Sequence, residues 1–222
     1  MSYHDYDPVH IGEMSVRAYN AAIGIILLIG FAIDALMTYF LTDIITQIPL
    51  LPLFIGYFVV AFTGIIISKR SDNAAVSFVG YLLVVVPCGA MIAIVVDSVS
   101  VDVVIHAAIT TSALTIVMLI AGTTWPSFFR KLGLVLLTCL FVVVIVELVA
   151  YLIFGVSMPS IWHYLVVMLF CFYVGYDWVK AQNERYTLDN AVDACVELYL
   201  DIINIFIRLV GASSSRQRSN RG

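Results

Sequence analysis

Charge is what this chain of 222 residues has least of. Only 12% of its residues are Asp, Glu, Lys or Arg, against 62% hydrophobic, and the mean hydropathy is +1.04. A soluble domain of this length carries about twice that share of charge. Lys and Arg total 11 and form no basic patch outside the last few residues, so nothing here offers nucleic acid a surface. Cysteine is sparse and unpaired: Cys88, Cys139, Cys171 and Cys195 each sit inside an apolar run, without the spacing of a disulfide framework or a metal site. They read as small buried hydrophobes. The N-terminal MSYHDYDPVHIGEM is polar and acidic and lacks the basic start of a signal peptide, so no cleavage is expected. His4, His10, Asp5 and Asp7 read there as an ordinary solvated tail rather than a metal site. Glycosylation sequons and internal repeats are also missing.

What the sequence does have is long apolar runs. A membrane span needs roughly 20 consecutive apolar residues. Runs of that kind predict segments over 16–41, 50–67, 74–96, about 103–121, 132–154 and 161–176, with a last one over 188–210. The expectation is an all-α polytopic membrane protein: a tail over 1–15, one seven-helix transmembrane domain over 16–211, and a disordered tail over 212–222. Pro87 predicts a kink in the third segment. In the first, Asn20, Asp34 and Thr38 fall within about 40° on a helical wheel, an inward face with Asp34 near one end of the span. The fourth segment is dotted with Thr110, Thr111, Ser112 and Thr115, which suit close helix packing. The fifth is aliphatic except for Glu147, a lone intramembrane carboxylate that calls for a partner or a proton.

Basic residues alternate with the segments. Arg17 precedes the first, Lys69 and Arg70 follow the second, Arg130 and Lys131 the fourth, Lys180 and Arg185 the sixth, while the intervening loops have none. That pattern puts the N-terminus in the cytoplasm. Seven full spans leave Arg216, Arg218 and Arg221 on the opposite side, against the rule, so a re-entrant last segment stays open.

The last segment is the unusual one. Asp189, Asp193, Glu197 and Asp201 recur at steps of four, and each step turns a helix by only about 40°, so the acids form one drifting stripe. Asn190, Asn204 and Arg208 fall in the same wedge of about 120°; the rest is apolar. A lipid-facing helix does not carry four carboxylates. The segment reads as an inner helix with its acidic face toward a polar interior. Asp177 and Asp201 lie on successive antiparallel helices. With the turn near residue 186 they are offset by about 8 Å, so the sequence permits a pair without forcing one. Two carboxylates that do meet in a low-dielectric site share a proton, which makes a pH sensor and, beside a cation, an ion gate. Lys69 and Arg70, at the same membrane face, are the candidate counter-charges. The other reading of Asp177 is a carboxylate snorkelling at a helix end.

At these residues the sequence resembles a known family. Gly175-Tyr176-Asp177, a polar hairpin, and the run Glu197-Leu198-Tyr199-Leu200-Asp201-Ile202-Ile203-Asn204-Ile205-Phe206 are similar to the C-terminal signature of the Bax inhibitor (TMBIM) family, closest in flavour to its bacterial YetJ-like members. The resemblance implies six helices around a central C-terminal helix and a pH-sensitive calcium leak. It implies Asp177 and Asp201 as the proton-sensing pair, and Lys69 or Arg70 as a basic latch on one aspartate. The resemblance implies no role for Glu147, Asp193 or Glu197; with Asp34 they are candidates for lining an ion path.

The expected function is therefore a pH-sensitive calcium leak and not an enzyme, with no cofactor, and with the bilayer, calcium and protons as partners. Two other classes share these features. A non-transporting regulatory membrane protein would have the same fold with structural acids. An intramembrane aspartyl protease would need Gly-x-Gly-Asp at the second aspartate, where this chain has Tyr199-Leu200-Asp201, and a downstream Pro-Ala-Leu, whereas no proline follows Pro159. A proton-coupled transporter would need a broken helix beyond Pro87. Short loops and compact length suit a bacterial inner membrane; an endomembrane is the alternative.

Overall fold

The computed structural model describes residues 13–155 and 158–219. His4, His10, Asp5 and Asp7 lie outside the described residues. Eight α-helices account for nearly all of the described chain: α1 (Val16–Ile45), α2 (Leu50–Arg70), α3 (Ala74–Asp97), α4 (Val101–Thr124), the single turn α5 (Pro126–Phe129), α6 (Gly133–Val149), α7 (Ser160–Ala181) and α8 (Leu188–Ser219). Six stretches are long and apolar enough to cross a membrane: α1, α2, α3, α4, Gly133–Ile153 and α7. Their outer faces carry large exposed aliphatic and aromatic side chains, as a lipid-facing surface requires. α8 spans 32 residues, but its charged residues set it apart from those six.

The expected boundaries shift outward at most ends. α1 runs past Leu41 to Ile45, with the hydroxyls of Thr42 and Thr46 donating to the carbonyls of Thr38 and Thr42. Asp34 consequently lies well inside the span and not near its end. α2 includes Lys69 and Arg70 in its last turn, where cations complement the helix dipole. α3 continues as a helix through the buried Pro87. α6 passes into a π-helical turn over Ala150–Phe154, closed by Gly155 in the left-handed region at φ 61°. Asp177 does not interrupt α7, which runs on to Ala181.

Residues 212–219 of the expected C-terminal tail lie within α8. α8 stays helical to Ser219, as Ser213 and Ser214 bond the carbonyls of Leu209 and Val210 and Ser160 of α7 donates to the carbonyl of Ala212. Residues 220–222 lie outside the described part.

α8 packs against α7, α3, α1, α4 and α2. Its apolar side chains, among them Val192, Cys195, Val196, Leu198, Tyr199 and Ile205, form the centre of the buried core together with Tyr19, Tyr81, Val84 and Val174. Small residues set the closest approaches. A Cβ at Gly64 would stand 2.5 Å from the Gly80 carbonyl oxygen, and one at Gly80 would stand 2.7 Å from that of Gly64. α2 and α3 can therefore touch backbone to backbone, which brings Ser68 beside Ser77. Gly80→Val is expected to lower stability by about 1–3 kcal/mol, the range for overpacking. Gly24→Ala, where a Cβ meets nothing within 4 Å, is expected to be neutral or slightly stabilising. Thermal unfolding of the purified variants in detergent distinguishes the two; equal midpoints would contradict the close α2–α3 contact.

Candidate functional site: the acid face of α8

Each acid of the stripe meets its own partner, and the partner changes helix as the stripe drifts. Asp189 accepts from the Ser77 hydroxyl of α3 at 2.6 Å. One turn on, Asp193 accepts from Ser68 of α2. Glu197 lies between two lysines: its Oε1 is 2.9 Å from Lys69 Nζ of α2 and 2.7 Å from Lys180 Nζ of α7. Asp201 faces α7, near enough to Asp177 for the two carboxyls to act on each other electrostatically. The order α3, α2, α2 with α7, then α7 is the path a stripe turning about 40° per step follows around its own axis.

Asp177 and Asp201 are both buried, at 8% and 5% exposure, the depth at which a carboxylate needs compensation. Asp201 Oδ2 is sealed from the surface and receives no hydrogen bond from an amide, hydroxyl or amine among the described residues. The neighbouring Asp177 is another carboxyl, which has nothing to donate unless one of the two holds a proton. The connection 182–187 opens in turns, with the backbone N–H groups of Gln182, Asn183 and Glu184 donating to the carbonyls of Trp178, Lys180 and Ala181, and Tyr19 of α1 donates to the carbonyls of Ala181 and Asn190 on its two sides.

Lys69, one of the two candidate latches, contacts Glu197 rather than Asp177, although it and Lys180 are near enough to Asp177 to act on it electrostatically. Arg70, the other, is exposed and makes no ion pair among the described residues. Glu147 is tied elsewhere: Arg208 of α8 grips it with both guanidinium nitrogens, Nη2 to Oε2 at 2.8 Å, and the Trp162 indole donates to Oε1 at 2.8 Å. Asp34 lies on another side of α8. Both its oxygens receive the Tyr199 hydroxyl, at 3.0 and 2.8 Å. Tyr199 and Asp201 are two residues apart and so point in nearly opposite directions. The structure therefore gathers Asp177, Asp201, Glu197, Lys69 and Asp193 along one interface and sets Glu147 and Asp34 apart from it.

Several of these partners carry no signal of their own in the sequence. Ser68 and Ser77 are short hydroxyls among many, and Tyr199 reads as one more aromatic of the core. Arg208 was legible in principle: it is the one base within the apolar run 188–210, and Glu147 the one acid of α6.

Fold and site together define an integral membrane helical bundle in which an acid-bearing helix is partnered internally on one face. A family model described as "Inhibitor of apoptosis-promoting Bax1" matches residues 16–218. The chain belongs to the Bax inhibitor family. No curated protein matches it.

The Glu147–Arg208 pair is mostly shielded, with side-chain exposures of 26% and 20%. Removing either partner leaves an uncompensated charge in an apolar setting, so Glu147→Gln and Arg208→Leu are each expected to destabilise by about 3 kcal/mol. The double variant should lose clearly less than the sum of the two. A double-mutant cycle by chemical unfolding checks this; strict additivity would mean that the ion pair contributes nothing.

Proposed function

We propose that this chain is a pH-sensitive calcium leak of the Bax inhibitor type, gated by a proton shared between Asp177 and Asp201. The observation that carries the reading is the contact between the two buried carboxyls, one with an oxygen that no ordinary donor reaches. While one proton is shared, the pair carries a single negative charge and acts as a hydrogen bond joining α7 to α8. When it leaves, two like charges face each other in a low-dielectric site, and the repulsion pushes the helices apart at that level.

The rest of the interface suits such a gate. Glu197 with Lys69 and Lys180 stands one turn toward the loop end of α7 and α8, where the two ammonium groups can turn to a second negative charge on the pair. In this reading Lys69 is a latch that acts through Glu197. Calcium enters as cargo: carboxylate oxygens at Asp193, Glu197, Asp201 and Asp177 along one groove would supply transient ligands to a hard cation. No chemical transformation is assigned to the pair, and the reading is not enzymatic. The protein works in the bilayer with calcium and protons as its partners.

We further read α8 as a seventh span at the centre of the other six, supported by its packing on five other helices and its bond to α6 through Arg208. The ends of α2 and α7 share one side of the bundle through the two lysines on Glu197, and the backbone of Met14 joins them by donating to the Tyr186 carbonyl at 2.7 Å. Basic residues gathered at that end support a cytoplasmic N-terminus, in a bacterial inner membrane or an endomembrane.

Purified protein in proteoliposomes loaded with a calcium indicator tests the proposal. Calcium flux is expected to change with pH in the wild type and to lose that dependence in Asp177→Asn and Asp201→Asn. Equal pH responses in all three would end the gating account. A folded wild type that passes no calcium at any pH would instead favour a non-transporting regulatory protein of the same fold.

A further inference from the structure

A second feature lies away from the acid face. Between α1 and α4, floored by α3 and α8, is a cavity of about 640 Å³, within the usual size of a small-molecule site. Its mouth is formed by Ala35 and Tyr39 of α1 and Ala108 and Ser112 of α4, all exposed and none near the end of its helix. The opening therefore faces sideways, toward lipid. The walls are apolar, with Phe31, Ile92, Val96 and Phe206 prominent.

Three polar groups stand out against that lining. Asp34 is 5% exposed, lines the cavity, and has the single Tyr199 hydroxyl as its donor and no Lys or Arg beside it among the described residues. One hydrogen bond leaves most of a carboxylate's acceptor capacity unused. Thr111, at 4% exposure, and Thr38, one turn after Asp34, also line the cavity, and both have hydroxyl oxygens that are buried without a hydrogen-bond partner. Thr42, Thr63 and Thr123, by contrast, return their hydroxyls to the carbonyl four residues back, while the Thr115 hydroxyl of α4 is likewise buried without a partner, outside the cavity. Gly89 lets the carboxylate sit close against α3, since a Cβ there would stand 2.9 Å from Asp34 Oδ1.

A buried carboxylate with spare acceptors, free hydroxyls beside it, aromatic walls and a lateral mouth specify a ligand. It needs a positive head with N–H donors and an apolar body that can arrive from the hydrocarbon. We propose that this cavity is a binding site for a lipophilic organic ammonium ion. The ammonium pairs with Asp34 and bonds the Thr38 and Thr111 hydroxyls, and the body lies along Phe31, Ile92 and Phe206. A hydrated metal ion would have to shed its water among those apolar walls. The site is separate from the Asp177–Asp201 contact, on the opposite face of α8, and stands whether or not the chain leaks calcium.

The probe is 1-naphthylmethylammonium, compared with neutral 1-naphthalenemethanol. Both are titrated calorimetrically into full-length protein in phosphatidylcholine nanodiscs, with empty nanodiscs subtracted. The wild type is expected to bind the ammonium saturably and about tenfold or more tightly than the alcohol, the scale of one charge-assisted hydrogen bond. Asp34→Asn is expected to remove that preference. Ala108→Phe, at an exposed position on the rim, fills the space for the body and is expected to abolish binding while leaving the carboxylate in place. Asp201→Asn is expected to bind like the wild type. Equal affinity for the two probes on the wild type, a comparison that needs no variant to fold, would overturn the proposal. So would unchanged binding in Asp34→Asn or Ala108→Phe, or displacement of the ammonium by calcium, which would make Asp34 a metal-ion station instead.

Discussion

A carboxylate inside a membrane bundle has to be answered by a donor, a cation or a proton, and α8 carries four of them at steps of one turn. That constraint organises the molecule. Asp189 and Asp193 are answered by serines, Glu197 by two lysines, and Asp201 by another acid. The α2–α3 contact through Gly64 and Gly80 matters because it presents Ser68, Ser77 and Lys69 to the stripe. The connection between α7 and α8 matters because it sets the register of the two helices and so the levels of Asp177 and Asp201. Outside this face the chain is held by apolar packing, with the Glu147–Arg208 pair fastening α6 to the far end of α8.

The four answers are not equivalent. A serine hydroxyl or a lysine ammonium brings its own hydrogen to an acid. A second carboxyl cannot do so without a proton, and the number of protons in the pair then depends on the medium. Among the acids of the stripe, this contact is the one that a proton itself would make or break. That is why the proposed switch is put there and not at Glu197, although Glu197 is the more heavily contacted acid.

Much of this was legible in the residues. Apolar run length separates the spans, and the i, i+4 spacing of the acids shows one face that cannot meet lipid. The inward face of α1 was readable from Asn20, Asp34 and Thr38: Gln182 donates to Asn20, Asp34 is buried, and Thr38 lines the cavity. Asp177 and Asp201 were legible as a possible pair from spacing and as a functional pair only through family resemblance. The offset could not be closed from sequence because it depends on how a six-residue connection folds back, which no periodicity encodes. The partner of Glu197 was missed for a related reason. Lys69 was read against Asp177 because the two share a membrane face, but a long flexible side chain reaches whichever carboxylate is nearest in three dimensions. Helix ends were underestimated wherever hydroxyl side chains carry the helix beyond its apolar run, as at Thr42 and Ser213. The cavity at Asp34 is invisible to sequence, since it exists only because α1 and α4 stand apart.

The central claim is that Asp177 and Asp201 hold one proton between them. Infrared difference spectroscopy on the protein in lipid reads this directly, through the C=O stretch of a protonated carboxyl. The account predicts one such band that disappears as pH is raised, shifts in deuterated water, and is lost or displaced by both Asp177→Asn and Asp201→Asn. A band unaffected by one of those two substitutions, or no titrating carboxyl band at all, would contradict it.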